Sequence, residues 1–139
     1  MKNLKEQIPL AIEAIKTLLA DGNKVDKEYN GYVSSLGASI LQSGLLPTLS
    51  FFSDNTKKTN KLLKAILYVL DRSAVQRTTL LNYTIKQIDK REETKPDDPS
   101  YSFTRFSHNT SNEKRITKQI MEASVAIKLA LRTFKQEKF

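Results

Sequence analysis

The sequence predicts an all-α fold, a single compact bundle of five to six helices over residues 1–139. Three observations predict it. Apolar residues recur at three- and four-residue intervals almost throughout, no stretch alternates cleanly with period two, and glycine-containing breaks separate segments of helical length. With 39% hydrophobic against 27% charged residues, the chain has enough apolar side chains to fill one core rather than remain disordered.

The first helix is expected over residues 4–20, with Ile8, Ile12, Ile15 and Leu19 on one face and Asp21-Gly22-Asn23 as its stop. Pro9 is expected in or near its first turn, where a missing N–H matters least. A second helix starts near Asp26 and turns Tyr29, Val33, Leu36 and Ile40 inward, leaving small residues, Gly31, Ser34, Ser35 and Ala38, on the other side. Ser43-Gly44 breaks it. Leu45, Leu49 and Phe52 then share one face of a short apolar helix.

Asn55-Thr56 offers an N-cap for a strongly amphipathic helix ending near Arg72 and built on Leu62, Leu63, Ile66, Leu67, Val69 and Leu70. The next helix, residues 74–91, is expected to pack through Leu81, Thr84, Ile85 and Ile88. Residues 92–111 lose the pattern and, with Pro96 and Pro99 among acidic, Ser, Thr and Asn residues, read as a long polar loop. The last helix, residues 112–135, carries a main stripe of Ile116, Ile120, Ala123, Ile127, Ala130, Leu131 and Phe134. Its opposite side carries Met121, Val125 and Leu129, so it is either central in the bundle or presents a subunit-contact strip.

The charge is regional. The chain carries a formal net charge of +8, yet residues 1–54 hold 5 basic against 6 acidic groups and residues 92–111 hold 2 against 4. Residues 55–91 hold 9 against 2 and residues 112–139 hold 7 against 3, so these helices supply the excess, which points to an anionic partner. At about 100° per residue, Lys57, Lys61, Lys64 and Arg72 fall within an arc of about 80° with Tyr68 at its centre. Tyr83 lies between Lys86, Lys90 and Gln76 on the following helix. Cations beside an exposed aromatic ring suit single-stranded RNA, the cations following phosphates and the ring offering a stacking face. A solvated lysine face with tyrosines tucked under lysine stems is the plainer alternative.

The residues expected of an enzyme are missing from the pattern. His108 is the lone histidine, there is no cysteine, and the four glycines form no phosphate-cradling loop, so no catalytic residue, metal site or cofactor is expected. Glu92-Glu93 and Asp97-Asp98 lack calcium-loop spacing. No long apolar run or apolar leader is present, so no membrane partner is expected and the chain reads as cytoplasmic.

Tyr32 to Phe52, YVSSLGASILQSGLLPTLSFF, resembles a known pattern: an apolar helix, the Gly44-Leu45 turn, and a short helix closing in Leu49-x-Phe51. This is similar to the small helical subunit of the Cmr complex, the type III-B CRISPR effector. The last helix is similar too, running from Glu122-Ala123 to Leu131-Arg132 and Phe134. The resemblance implies a non-catalytic subunit that stacks with copies of itself in a minor filament, touches other type III effector subunits, and helps hold guide-paired target RNA. Contacts with the crRNA-target duplex or single-stranded RNA would fall to Lys57, Lys61, Lys64, Tyr68, Arg72, Lys86 and Lys90. A helical protein-interaction module without RNA contact, and the analogous small subunit of a type III-A complex, are the alternatives.

Overall fold

A computed structural model describes residues 4–55, 57–89 and 111–138, the side chains at 54, 55 and 57 excepted. Its helices are α1 (Leu4–Leu18), α2 (Glu28–Ser43), α3 (Leu45–Asn55), α4 (Lys57–Leu70), α5 (Leu80–Asp89) and α6 (Ser111–Leu131), with a 3-10 turn at Arg72–Ala74. The fold is helical, as the periodicity requires. The polar loop expected at 92–111 lies outside the described residues except for Ser111, which opens α6.

α4 lies at the centre. It packs against α1, α2, α3, α5 and α6, and Leu62, Leu63, Ala65, Ile66, Leu67, Tyr68 and Val69 are all buried. Burial of each such Leu or Ile contributes about 1.5–3 kcal/mol relative to exposure, so this helix anchors the bundle. α6 packs on α1, α2, α4 and α5 through Ile116, Ile120, Ala123, Ile127, Ala130 and Leu131. The expected face of α3 is present, with Leu45, Leu49 and Phe52 buried. Gly44 connects α2 to α3 at φ 92°, a conformation that a side chain would strain, while its N–H donates to the Ile40 carbonyl.

The all-α class holds, with local differences from the expected elements. The chain contains strands: β1 (Lys24–Asp26) and β2 (Lys135–Glu137) pair in parallel, Val25 opposite Gln136. Three residues are too few for period two to register, and the last helix stops at Leu131 rather than continuing to Lys135, which frees the tail to pair. The helix expected from residue 74 begins at Leu80, because Asp71 accepts from the Ser73 N–H and seeds a 3-10 turn instead. Within α5, Thr84 is buried and Leu81 and Ile88 pack against the core as expected, joined by buried Leu80, whereas Ile85 is exposed.

Candidate nucleic-acid interface

α4 begins with its cations facing outward. Lys61 and Lys64 are exposed, lie three residues apart and therefore share a face, and neither makes an ion pair among the described residues. Lys58 differs. Its ammonium lies 2.6 Å from Asp26 Oδ2 and 3.4 Å from Glu28 Oε2. Asp26 ends β1, is almost fully buried, and accepts the N–H of Glu28, the first residue of α2, on Oδ1 at 3.0 Å; Oδ2 takes the ammonium as an ion pair rather than as an aligned hydrogen bond. Burial pushes the Asp26 carboxyl up, but the Lys58 contact, the Glu28 N–H and the charges of Lys58 and Lys27 outweigh it and hold it below the usual carboxylate range.

The strip stops at Lys64. Tyr68, expected exposed at the centre of the arc, is only 7% exposed, so its ring offers no stacking face to a base. The reason is α1, which packs along α4 and places Glu13 and Thr17 beside the phenol. Burial and the Glu13 contact push the Tyr68 phenol up. Arg72 lies beyond the end of the helix, where it pairs with Glu13 at 3.1 Å and sits over the Tyr68 ring at 5.6 Å. Lys86 is exposed on α5. Tyr83 is half-buried against the core rather than free between lysines, and Gln76 is exposed. Lys57 opens α4 and its side chain is outside the described residues, as is Lys90 altogether.

The second stripe of α6 is partly open. Val125 is 46% exposed, while Met121 and Leu129 are half-buried. Met121 and Val125 line a shallow apolar groove with Leu4 of α1, edged by Lys118 and Glu122. α2 approaches closely here: a Cβ on Gly37 would stand 3.8 Å from Met121 Cε, and Lys128 donates to the Ser34 hydroxyl. The small face of α2 thus partly covers α6, which divides the stripe between core and solvent.

A second cleft escaped the sequence reading. It opens between α1, α4, α5 and α6, has a volume of about 470 Å³, and sets Val69 and Leu70 against Gln7, Tyr83, Gln87, Arg115 and Gln119, with Glu6 at its edge. Gln7 is buried, and among the described residues neither its Oε1 nor Arg115 Nε has a hydrogen-bond partner, both atoms being sealed from solvent. The signal was a glutamine one turn before Ala11 on the buried face of α1, where an apolar residue belongs.

Among the described residues no helix is long and apolar enough to cross a membrane, and no three His, Cys, Asp or Glu side chains gather as a metal site. His108 and the acidic pairs at 92–93 and 97–98 lie outside the described residues. No curated protein matches the chain, and no solved structure does. A family model does: residues 5–132 match the family described as CRISPR-associated protein (Cas_Cmr5). That span runs from the first turn of α1 to the end of α6 and takes in both the Gly44 turn and the basic half of α4. The chain therefore belongs to the Cas_Cmr5 family, the small helical subunit of type III-B CRISPR-Cas.

Proposed function

We propose that this chain is a non-catalytic subunit of a type III-B RNA-guided effector complex, which stacks with copies of itself and helps hold target RNA by sequence-blind phosphate contact. The observation that carries the RNA contact is the pair Lys61 and Lys64, exposed on one face of α4 with no acidic partner among the described residues. Lys86 adds a third exposed cation on α5. Unpaired lysines keep their charge available to phosphates, whereas Lys58 and Arg72 spend theirs on Asp26, Glu28 and Glu13. In guide-based systems base pairing reads sequence and protein supplies positive charge, so a lysine pair without base-reading geometry suits the role.

Stacking draws support from two dissimilar apolar patches, since head-to-tail assembly needs one surface to meet a different one. The groove of Leu4, Met121 and Val125 is one; the Phe51 ring on α3, 63% exposed, is the other.

The test is a complex reconstituted from all type III-B subunits on a target RNA carrying photoreactive uridines. Crosslinks to the peptide containing Lys61 and Lys64 are expected. Stoichiometric assembly with no crosslink to this chain would instead favour a protein-only scaffold. Phe51→Asp and Val125→Asp are expected to lower the number of copies per complex, and unchanged stoichiometry in both variants would reject the stacking surfaces.

A further inference from the structure

We propose that the free edge of β2 docks a short, extended, acidic segment of a partner protein, which adds a third strand and lies in the groove beside α2. The ladder shows which backbone groups are open. The Lys135 N–H donates to the Asn23 carbonyl at 2.9 Å and the Glu137 carbonyl accepts from the Lys27 N–H at 2.9 Å, so residues 135 and 137 turn their backbone groups toward β1. Strand backbone alternates, so the N–H and carbonyl of Gln136 point the other way. Outside the ladder, the hydrogen bonds of Gln136 among the described residues are made by its side chain, with Asn30 and the Leu131 carbonyl. The outer side of β1 is occupied at Lys24, which exchanges both backbone bonds with Asp21 at 2.8 and 3.1 Å. A further strand therefore finds its place beside β2.

Space for that strand exists next to Gln136. A shallow groove of about 580 Å³ joins Gln136 to the first turns of α2, where Lys27, Glu28, Gly31 and Ser35 line it. Gly31 and Ser35 are exposed, and nothing stands within 4 Å of where a Cβ on Gly31 would be, so an extended backbone can approach this face closely. Charge selects the occupant. Lys27 in the groove and Lys138 past the end of β2 are exposed and make no ion pair among the described residues, while Lys135 shares Glu137 with Lys24. The carboxylate in the groove, Glu28, is already engaged by Lys58 and the Tyr32 hydroxyl. Lysines along a strand edge repel a like-charged strand, which disfavours a second copy of a chain with net charge +8 and favours an acidic segment. RNA would meet the cations but lacks the alternating N–H and carbonyl groups with which a polypeptide pairs to an open edge. The site uses none of the lysines assigned to phosphate, so its failure and theirs are distinguishable.

The full-length protein is titrated, with amide NMR as the readout, against a capped hexapeptide of alternating glutamate and valine. Resonances of Lys27, Gly31, Ser35 and Gln136 are expected to shift at millimolar peptide, and the counterpart of alternating lysine and valine is expected to leave them in place. Two variants separate backbone pairing from side-chain contact. Gln136→Pro removes the outward N–H, spares the bonds to β1 and suits an edge strand, so it is expected to weaken binding roughly ten-fold. Gln136→Ala loses the same contact with Asn30 but keeps the N–H, and is expected to bind within about two-fold of the parent. Gly31→Leu fills the groove with a better helix former and is expected to abolish the shifts with the melting temperature maintained. Peptide that leaves the groove resonances unmoved, or that binds a stably folded Gln136→Pro or Gly31→Leu as it binds the parent, would overturn strand docking. Displacement of the peptide by single-stranded RNA would give the groove to RNA, and dimerisation lost in Gln136→Pro would give the edge to a second copy; either result also overturns the proposal.

Discussion

The two halves of α4 share one helical arc and end in opposite environments. Lys61 and Lys64 face solvent, whereas Tyr68, placed by periodicity between them and Arg72, lies under α1 beside Glu13 and Thr17. Helical periodicity fixes an angle, and a neighbour crossing that angle part of the way along decides which side chains are covered. Arg72 keeps its exposure but not its freedom, since Glu13 and the Tyr68 ring hold it. The face proposed to meet phosphate is therefore confined to the first half of α4, because the same arc is covered by α1 over the second half.

Substitutions at five residues sharpen that contrast on the scale of folding stability, from the largest effect to the smallest. Tyr68→Ala removes a buried ring between α1 and α4 and should cost about 3 kcal/mol, read as a lower urea midpoint; a cost below 0.5 kcal/mol, the ordinary surface range, would mean the ring is free after all.

Asp26→Ala leaves the Glu28 N–H and the ammonium of Lys58 without their carboxylate. Lys58 is partly exposed, so the loss is screened to about 2 kcal/mol, below that of a fully buried pair. The pH dependence has a definite sign. Because the folded carboxyl is held below its unfolded value of 3.8, the folded state binds fewer protons, and its contribution is complete above that value and lost as pH falls through the lower folded pKa. Unfolding curves from pH 6 to pH 2 should show a shallower acid limb in Asp26→Asn than in the parent; parallel limbs would remove Asp26 from the set of stabilising carboxylates.

Arg72→Ala breaks an ion pair between groups well exposed to water, with the Arg72 side chain 67% exposed, and should cost no more than about 0.5–1 kcal/mol. Lys61→Gln with Lys64→Gln should shift stability by less than about 0.5 kcal/mol, because neither side chain holds anything in place. A larger loss in this double variant would show that these lysines, like Lys58, belong to the fold.

Much of the architecture was legible because long amphipathic stretches report themselves. The faces of α3 and α4 followed from Leu45, Leu49 and Phe52 and from Leu62, Leu63, Ile66 and Leu67. What was illegible has a common physical cause: it depends on contacts between segments far apart in sequence. Nothing local tells that Lys24–Asp26 will find Lys135–Glu137, that Asp26 will choose Lys58 over solvent, or that α1 will cover Tyr68. The Gly44 turn was readable because its φ of 92° is a property of one residue. The polar cleft left a fainter trace in Gln7, a single polar position in the buried face of α1.

Phosphate contact through the first half of α4 is tested most directly by a salt series of single-stranded RNA binding to the parent and to the double variant Lys61→Gln, Lys64→Gln. Each lost phosphate contact lowers the slope of log K against log salt by about 0.7, so a fall of about 1.4 is expected for two contacts, with stability unchanged. Parallel salt lines for the two proteins would contradict the assignment and return these lysines to an ordinary solvated face.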